Sequence, residues 1–207
     1  MAVREILIYP QGKEGLREVS EPIQEVDETV TALVTDLKDT LLAHPEGIGL
    51  AAPQIDRGLR AVVVRLGSRA GGAPGEPGPP LPLLNPEITG AGERKLDFDG
   101  CLSFPGLYAQ TVRPHHVEVK ARDAEGRPFR RVFSGFDAVL VHHEIDHLNG
   151  VLFTDRARKP EDLYRVGKNE EGEIIRLPIS SQERQLYLQD NLGQKALSLD
   201  PEPGKPG

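Results

Sequence analysis

The stretch His142-His143-Glu144-Ile145-Asp146-His147 constrains this chain more than any other, because it holds the pattern H-E-x-x-H at His143, Glu144 and His147. Residues four apart on a helix stack on one face, so both imidazoles can reach one metal ion while Glu144 stands beside it. That is the arrangement for metal-assisted hydrolysis, in which the ion lowers the pKa of a bound water and a carboxylate takes and returns its proton. The plainer reading is two histidines that share a helix by chance, and the rest of the sequence has to separate the two. Phe136, Val139 and Leu140 fall seven, four and three residues before His143, so the metal face continues into an apolar face. Such a stripe is ordinarily core, but it can also wall a substrate pocket beside the metal.

A catalytic metal has three protein ligands and an open position, so the two histidines need a partner. The spacing H-E-x-x-H-x-x-G-x-x-H would place it at position 153, where the chain has Phe153, and no histidine follows His147. Asn169-Glu170-Glu171-Gly172-Glu173 superficially offers a downstream glutamate, but Gly167 and Gly172 bracket a polar stretch without helical period that reads as a solvated turn. Cys101 is the remaining candidate and the single thiol of the chain. A lone cysteine is most often a buried apolar filler. Here a glycine turn precedes it in Asp99-Gly100-Cys101-Leu102-Ser103, and a thiolate with two imidazoles would suit a soft divalent ion while leaving one net positive charge to polarise a substrate.

The 207 residues allow one domain of ordinary size with an appendage. A net charge of -7 argues against a dedicated nucleic-acid surface, and no run of 18 apolar residues that could cross a membrane occurs. The first residues lack the basic-then-apolar order of a secretory signal, and one cysteine cannot form an internal disulfide, so a reducing, cytoplasmic setting is expected. After a short apolar run at Ile6-Leu7-Ile8, residues 16–20 read as an irregular leader. Ile23, Val26, Val30, Leu33, Val34, Leu37 and Leu41 then recur at helical spacing, predicting an amphipathic helix over 23–42. Strands are expected at 60–66, 83–88 and 95–98, and a hairpin joins 115–122 to 129–133 across the turn at 123–126. The Gly/Pro-rich segment 67–82 supplies no apolar face and reads as a surface loop. Past Phe153, a hairpin over 164–177 and a helix from Ser180 through 192, with Glu183 at capping-box spacing, precede a tail at 198–207 expected to be disordered. No repeat of solenoid period occurs.

Three motifs together resemble the peptide deformylases, the metal hydrolases that remove the formyl group from the N-terminal methionine of new bacterial and organellar proteins. Gly47-Ile48-Gly49-Leu50-Ala51-Ala52-Pro53-Gln54 is similar to the family's first motif, Asp99-Gly100-Cys101-Leu102-Ser103 to its second, and residues 142–147 to its third, in the family's order. The likeness covers residues 3–155. Asp99 stands where the family usually has glutamate, and His142 where it usually has glutamine; neither is a ligand, and both bear on the groups behind the ligands.

The resemblance implies that Cys101, His143 and His147 bind the metal, that Glu144 carries the proton, and that Gln54 with the backbone amide of Leu102 receives the formyl oxygen. A neutral amide and a main-chain N–H suit the alkoxide formed when water attacks. It also implies that the peptide lies against Gly47, Ile48 and Gly49, with Ile48, Val139 and Leu140 toward the methionine side chain, and that Asp99 pairs with Arg113. The implied ion is Fe2+, replaceable by Zn2+ or Ni2+. The implied partners are N-formyl-Met nascent polypeptides, with the ribosome behind them; no specific nucleic-acid or membrane partner is expected. The expected fold is α+β, with short mixed or antiparallel sheets around a central metal-binding helix, as a catalytic domain over 1–160 and a C-terminal extension over 161–207. The alternatives are an H-E-x-x-H metallopeptidase and a non-catalytic metal-binding or ribosome-associated protein, the last disfavoured by the intact Glu144 and Gln54.

Overall fold

Strand β2 (Ala61–Val64) shows how the molecule is layered, because all four of its residues are buried. Side chains alternate across a strand, so Ala61 and Val63 pack on one face with helix α2 (Glu28–Leu42), while Val62 and Val64 pack on the other with helix α3 (Phe136–Leu148). A sheet covered on both sides by helices follows. The computed structural model describes residues 2–67, 77–188 and 200–201. The first sheet has the order β1-β2-β3-β6-β7, with β1 (Gly49–Ala51) at one edge, β3 (Leu81–Ala91), β6 (His116–Arg122) and β7 (Pro128–Ser134). The second has β4 (Arg94–Gly100), β5 (Tyr108–Pro114), β8 (Leu163–Lys168) and β9 (Ile174–Pro178) in chain order. Every pairing within both sheets is antiparallel. The α+β architecture is therefore as expected, and α3 is its centre, touching β1, β2, β5, β6 and β7.

Helix α3 begins at Gly135, whose φ of 60° turns the chain out of β7. From Ala138 to Leu148 every residue is buried, including His142, His143, Glu144, Asp146 and His147. Five buried polar side chains on one helix demand partners, and supplying them organises the interior around the site.

The structure amends several expectations. Helix α2 starts at Glu28 rather than at Ile23, because Asp27 caps it by accepting from the Val30 N–H at 2.9 Å. The amide and carbonyl of Ile23 are instead held by the Asn85 side chain at 2.8 and 2.7 Å. The leader contains a short helix, α1 (Lys13–Arg17), where irregular chain was expected. Strands β3 and β4 run beyond their predicted ends, and β5 is a strand that apolar alternation does not announce. The 164–177 hairpin forms as β8 and β9, and Ser180 and Glu183 make the reciprocal capping bonds ahead of helix α4 (Ser181–Leu188). Residues 68–76 of the Gly/Pro-rich segment, 189–192 of the predicted last helix and most of the 198–207 tail lie outside the described residues. Asp200 and Pro201 are described.

Candidate metal centre

Cys101 follows directly on β4, and the turn that presents it depends on Gly100. A β-carbon at Gly100 would lie 2.8 Å from Tyr108 Cδ1, so glycine lets β4 press close to β5 there. Cys101 Sγ lies 3.3 Å from His147 Nε2, and one ligand atom each from Cys101, His143 and His147 falls within 4.8 Å of the others. A tetrahedral ion with usual metal–sulfur and metal–nitrogen bonds needs its donors about 3.5 Å apart, so these residues fit one divalent ion with little rearrangement.

The groups behind these three candidate ligands set their chemistry. Asp99 Oδ1 lies 2.7 Å from His143 Nδ1 and fixes a proton there, so Nε2 is the nitrogen left for a metal. Burial opposes a charge on this ring, but Asp99 outweighs it and raises the ring well above the ordinary imidazole range, so Nε2 gives up its proton when an ion binds. Asp99 Oδ2 accepts from Arg113 Nε at 2.6 Å and from the Thr111 hydroxyl at 2.9 Å. The expected Asp99–Arg113 pair is thus present despite the short acid, and Arg113 is fully buried. Burial opposes the Asp99 charge, but Arg113 and His143 outweigh it and hold the carboxyl well below the usual range. Burial, reinforced by His143, holds His147 well below the ordinary imidazole range, so it offers a neutral donor.

Glu144 is buried beside the candidate ligands, and its Oε2 has no hydrogen-bond partner among the described residues. Burial pushes its carboxyl up to about 7, with His143 opposing and Asp99 adding to the rise. A carboxylate so poised can take and release a proton near neutral pH. Gln54 is 2% exposed and oriented at both ends. Its Oε1 accepts from the Ala51 N–H at 2.8 Å, which turns Nε2 toward the Ser103 hydroxyl at 3.1 Å and Cys101 Sγ at 3.4 Å. The donor end of the amide therefore faces the centre.

A cleft of about 390 Å³ opens on this group, and Gly47, Ile48, Gly49, Gln54, Cys101, Leu102, Val139, Leu140, His143 and Glu144 all line it. His147 is buried outside the lining and joins the group through its contact with Cys101 Sγ. Strand β1 forms one wall, and among the described residues it is the outer strand of its sheet, paired with β2 alone. Of the candidate ligand, catalytic and peptide-binding residues named from the sequence, all but His147 line this cleft.

Sequence reasoning did not find Ser103, Thr111, Asp146, Arg156 or Asp200. Asp146 accepts from Arg113 at 2.6 Å and from Arg156 at 2.6 and 3.0 Å, and Arg156 in turn holds Asp200. Asp146 carried a signal in retrospect, as a charged residue on a helix whose neighbours are all buried. His142, Asp146 and Asp200 also come together, but the two arginines already occupy the carboxylate oxygens and His142 Nδ1, so no second ion is needed to explain them.

The family model described as polypeptide deformylase matches residues 3–162. The peptide deformylase of Thermomicrobium roseum is 44% identical over 171 residues, which is 83% of this chain and 95% of that protein. Among solved structures, a peptide deformylase from Legionella pneumophila is similar with a TM-score of 0.68 at 32% identity, covering 97% of this chain and all of the other. A Met-Ala-Ser-bound class I type b peptide deformylase from Acinetobacter baumannii is similar with the same TM-score at 31% identity, over 75% of this chain and all of the other.

Proposed function

This chain belongs to the peptide deformylase family and removes the N-terminal formyl group from new polypeptides, and on that premise we propose how its own residues divide the work. Cys101 Sγ and the Nε2 atoms of His143 and His147 would hold the divalent ion on which the family depends, a reading supported by the close approach of these three donors. When bound, that ion supplies an activated water and a positive charge next to the formyl oxygen. Glu144 takes the proton of the attacking water and returns it to the leaving amine, so that formamide and water become formate and a free N-terminus. Gln54 Nε2 and the Leu102 N–H donate to the oxygen as charge develops on it, one such donor being worth about 3 kcal/mol in the transition state.

The peptide lies along Gly47 and Ile48 and adds to the open edge of β1 from Gly49 on, a mode in which main-chain bonds give affinity and alternate pockets give selectivity. Its methionine side chain lies toward Ile48, Val139 and Leu140. A cysteine and two histidines suit Fe2+ as the working ion, with Zn2+ or Ni2+ as substitutes. Residues 1–160 form the catalytic domain and 161–207 an extension to it. The substrate arrives as nascent chains from the ribosome, in the cytoplasm. Among the described residues no helix is long and apolar enough to cross a membrane.

The observation that carries this reading is the convergence of Cys101, His143, His147, Glu144 and the donor end of Gln54 on one cleft walled by an edge strand. A formyl carbon bears only hydrogen where a peptide carbonyl bears a chain, so a site closed around these groups admits the one and rejects the other. Matched formylated and acetylated peptides, together with an unfolded protein, separate this from the peptidase reading. Formate release from the formylated peptide alone is expected; internal fragments of the unfolded protein without formate would favour a metallopeptidase.

A further inference from the structure

Two arginines and three aspartates lie behind the metal ligands, and one of the aspartates comes from far along the chain. Arg113 has no acceptor atoms, so its 2.7 Å contact with His142 Nδ1 requires that nitrogen to accept. The His142 proton then sits on Nε2, and because the ring is buried that N–H must find an acceptor within the protein. Asp200 Oδ1 provides it at 2.9 Å. The same carboxylate receives Arg156 Nη1 at 2.8 Å and Nη2 at 3.0 Å, and Arg94 Nη2 at 3.0 Å.

From Asp200 two paths lead to the ligands. One runs through His142 to Arg113, then through Asp99 to His143 Nδ1. The other runs through Arg156 to Asp146, which precedes the ligand His147 and also binds Arg113. We propose that Asp200 is a positioning residue for the metal centre, a carboxylate of the C-terminal segment that fixes the His142 tautomer and, through Arg113 and Asp99, the orientation of His143. Without it, His142 has an unanswered buried N–H and Arg156 loses half its carboxylate partners. The ring is then free to reverse its tautomer, which would set two donors against each other at Arg113.

The proposal rests on the metal-site reading above, and its test keeps the two apart. The metal-loaded full-length protein and its variants are exposed to excess chelator while metal loss is followed, and the Co2+-substituted proteins are compared by their visible absorption. Asp200→Ala is expected to lose metal about 10- to 100-fold faster, the range for groups that orient ligands, with a shifted cobalt spectrum, a lower kcat and an unchanged KM. Asp200→Asn keeps the shape and an acceptor for His142, and should lie between the two; it also serves where the alanine variant does not fold. Arg94→Gln weakens the attachment of Asp200 while leaving every donor on α3 answered, and should lose metal at close to the parental rate. Equal metal loss and identical spectra in Asp200→Ala and the parent would overturn the proposal, as would an effect of Arg94→Gln equal to that of Asp200→Ala. A parent protein that binds no metal would instead overturn the site itself.

Discussion

Gly49 and Glu144 are packed so closely that a β-carbon on Gly49 would lie 2.7 Å from Glu144 Cδ, nearer still to its Oε1, and 2.8 Å from Leu140 Cδ1. Strand β1 and the Glu144 carboxylate, for which we propose the proton-carrying role, are thus spaced by the absence of one side chain. In Gly49→Ala the new methyl would take the space of the Glu144 carboxylate and Leu140 Cδ1, so the carboxylate is expected to shift from its place beside Cys101 and His143. We expect kcat/KM to fall by at least about 100-fold, as for a displaced general base, while bound metal stays near one per chain. Steady-state kinetics beside metal analysis checks both halves.

Glu144→Gln separates chemistry from binding. The variant should hold metal as the parent does and lose about 10²- to 10⁴-fold in kcat. Full activity would remove Glu144 from the mechanism.

The same substitution predicts a pH effect in the metal-free protein. Burial raises the Glu144 carboxyl from its ordinary 4.5 to about 7, so in the fold it stays protonated where the unfolded chain is already ionised. A raised acid costs stability as pH rises above the unfolded value, and the cost is complete above the folded one. Metal-free Glu144→Gln should therefore be more stable than the parent by roughly 3 kcal/mol above pH 7. The difference should close below pH 4.5. Denaturant unfolding at a series of pH values measures it, and a gap that is flat with pH would contradict the burial argument.

Asp99→Asn tests the brace behind the ligands. Arg113 is fully buried between Asp99 and Asp146, and removing one of its two countercharges should cost on the order of 1–3 kcal/mol, less than leaving the guanidinium unpaired. Because the Asp99 carboxyl is depressed in the fold, the stability it contributes is present above its ordinary 3.8 and is lost as pH falls below that. The gap between parent and variant, read from unfolding midpoints, should accordingly shrink in acid.

What the sequence revealed of this site followed from distance along the chain and from periodicity. His143, Glu144 and His147 lie within one helical turn and a fraction, so their shared face could be read directly, and Cys101 was reached because no other residue completed the set. Strand β5 escaped because its pattern is inverted. Ala109, Thr111 and Arg113 are its buried side, while Tyr108, Gln110 and Val112 are only half-buried, so a search for alternating apolar residues finds nothing. The first turn of α2 was overestimated because Ile23 continues the helical apolar spacing while its backbone is bound by Asn85, 62 residues away. Asp200 is separated from Arg156 by 44 residues and from His142 by 58, and no local pattern encodes such pairings.

Cys101→Ala removes the sulfur ligand, and metal content after purification should fall sharply. With iron bound, the parent should also lose activity in air, since a partly exposed thiolate on iron is open to oxidation. Metal content and activity that both survive the substitution would return Cys101 to the role of core filler.

On the proposed mechanism, formyl hydrolysis runs through one metal held by Cys101, His143 and His147. Titrating metal-free protein with Fe2+ under anaerobic conditions, and measuring formate released from a formyl-Met peptide at each step, tests it most directly. Formate release should rise in proportion to bound metal and saturate at one ion per chain. Release that is already complete without metal, or that rises equally in Cys101→Ala, would contradict the account.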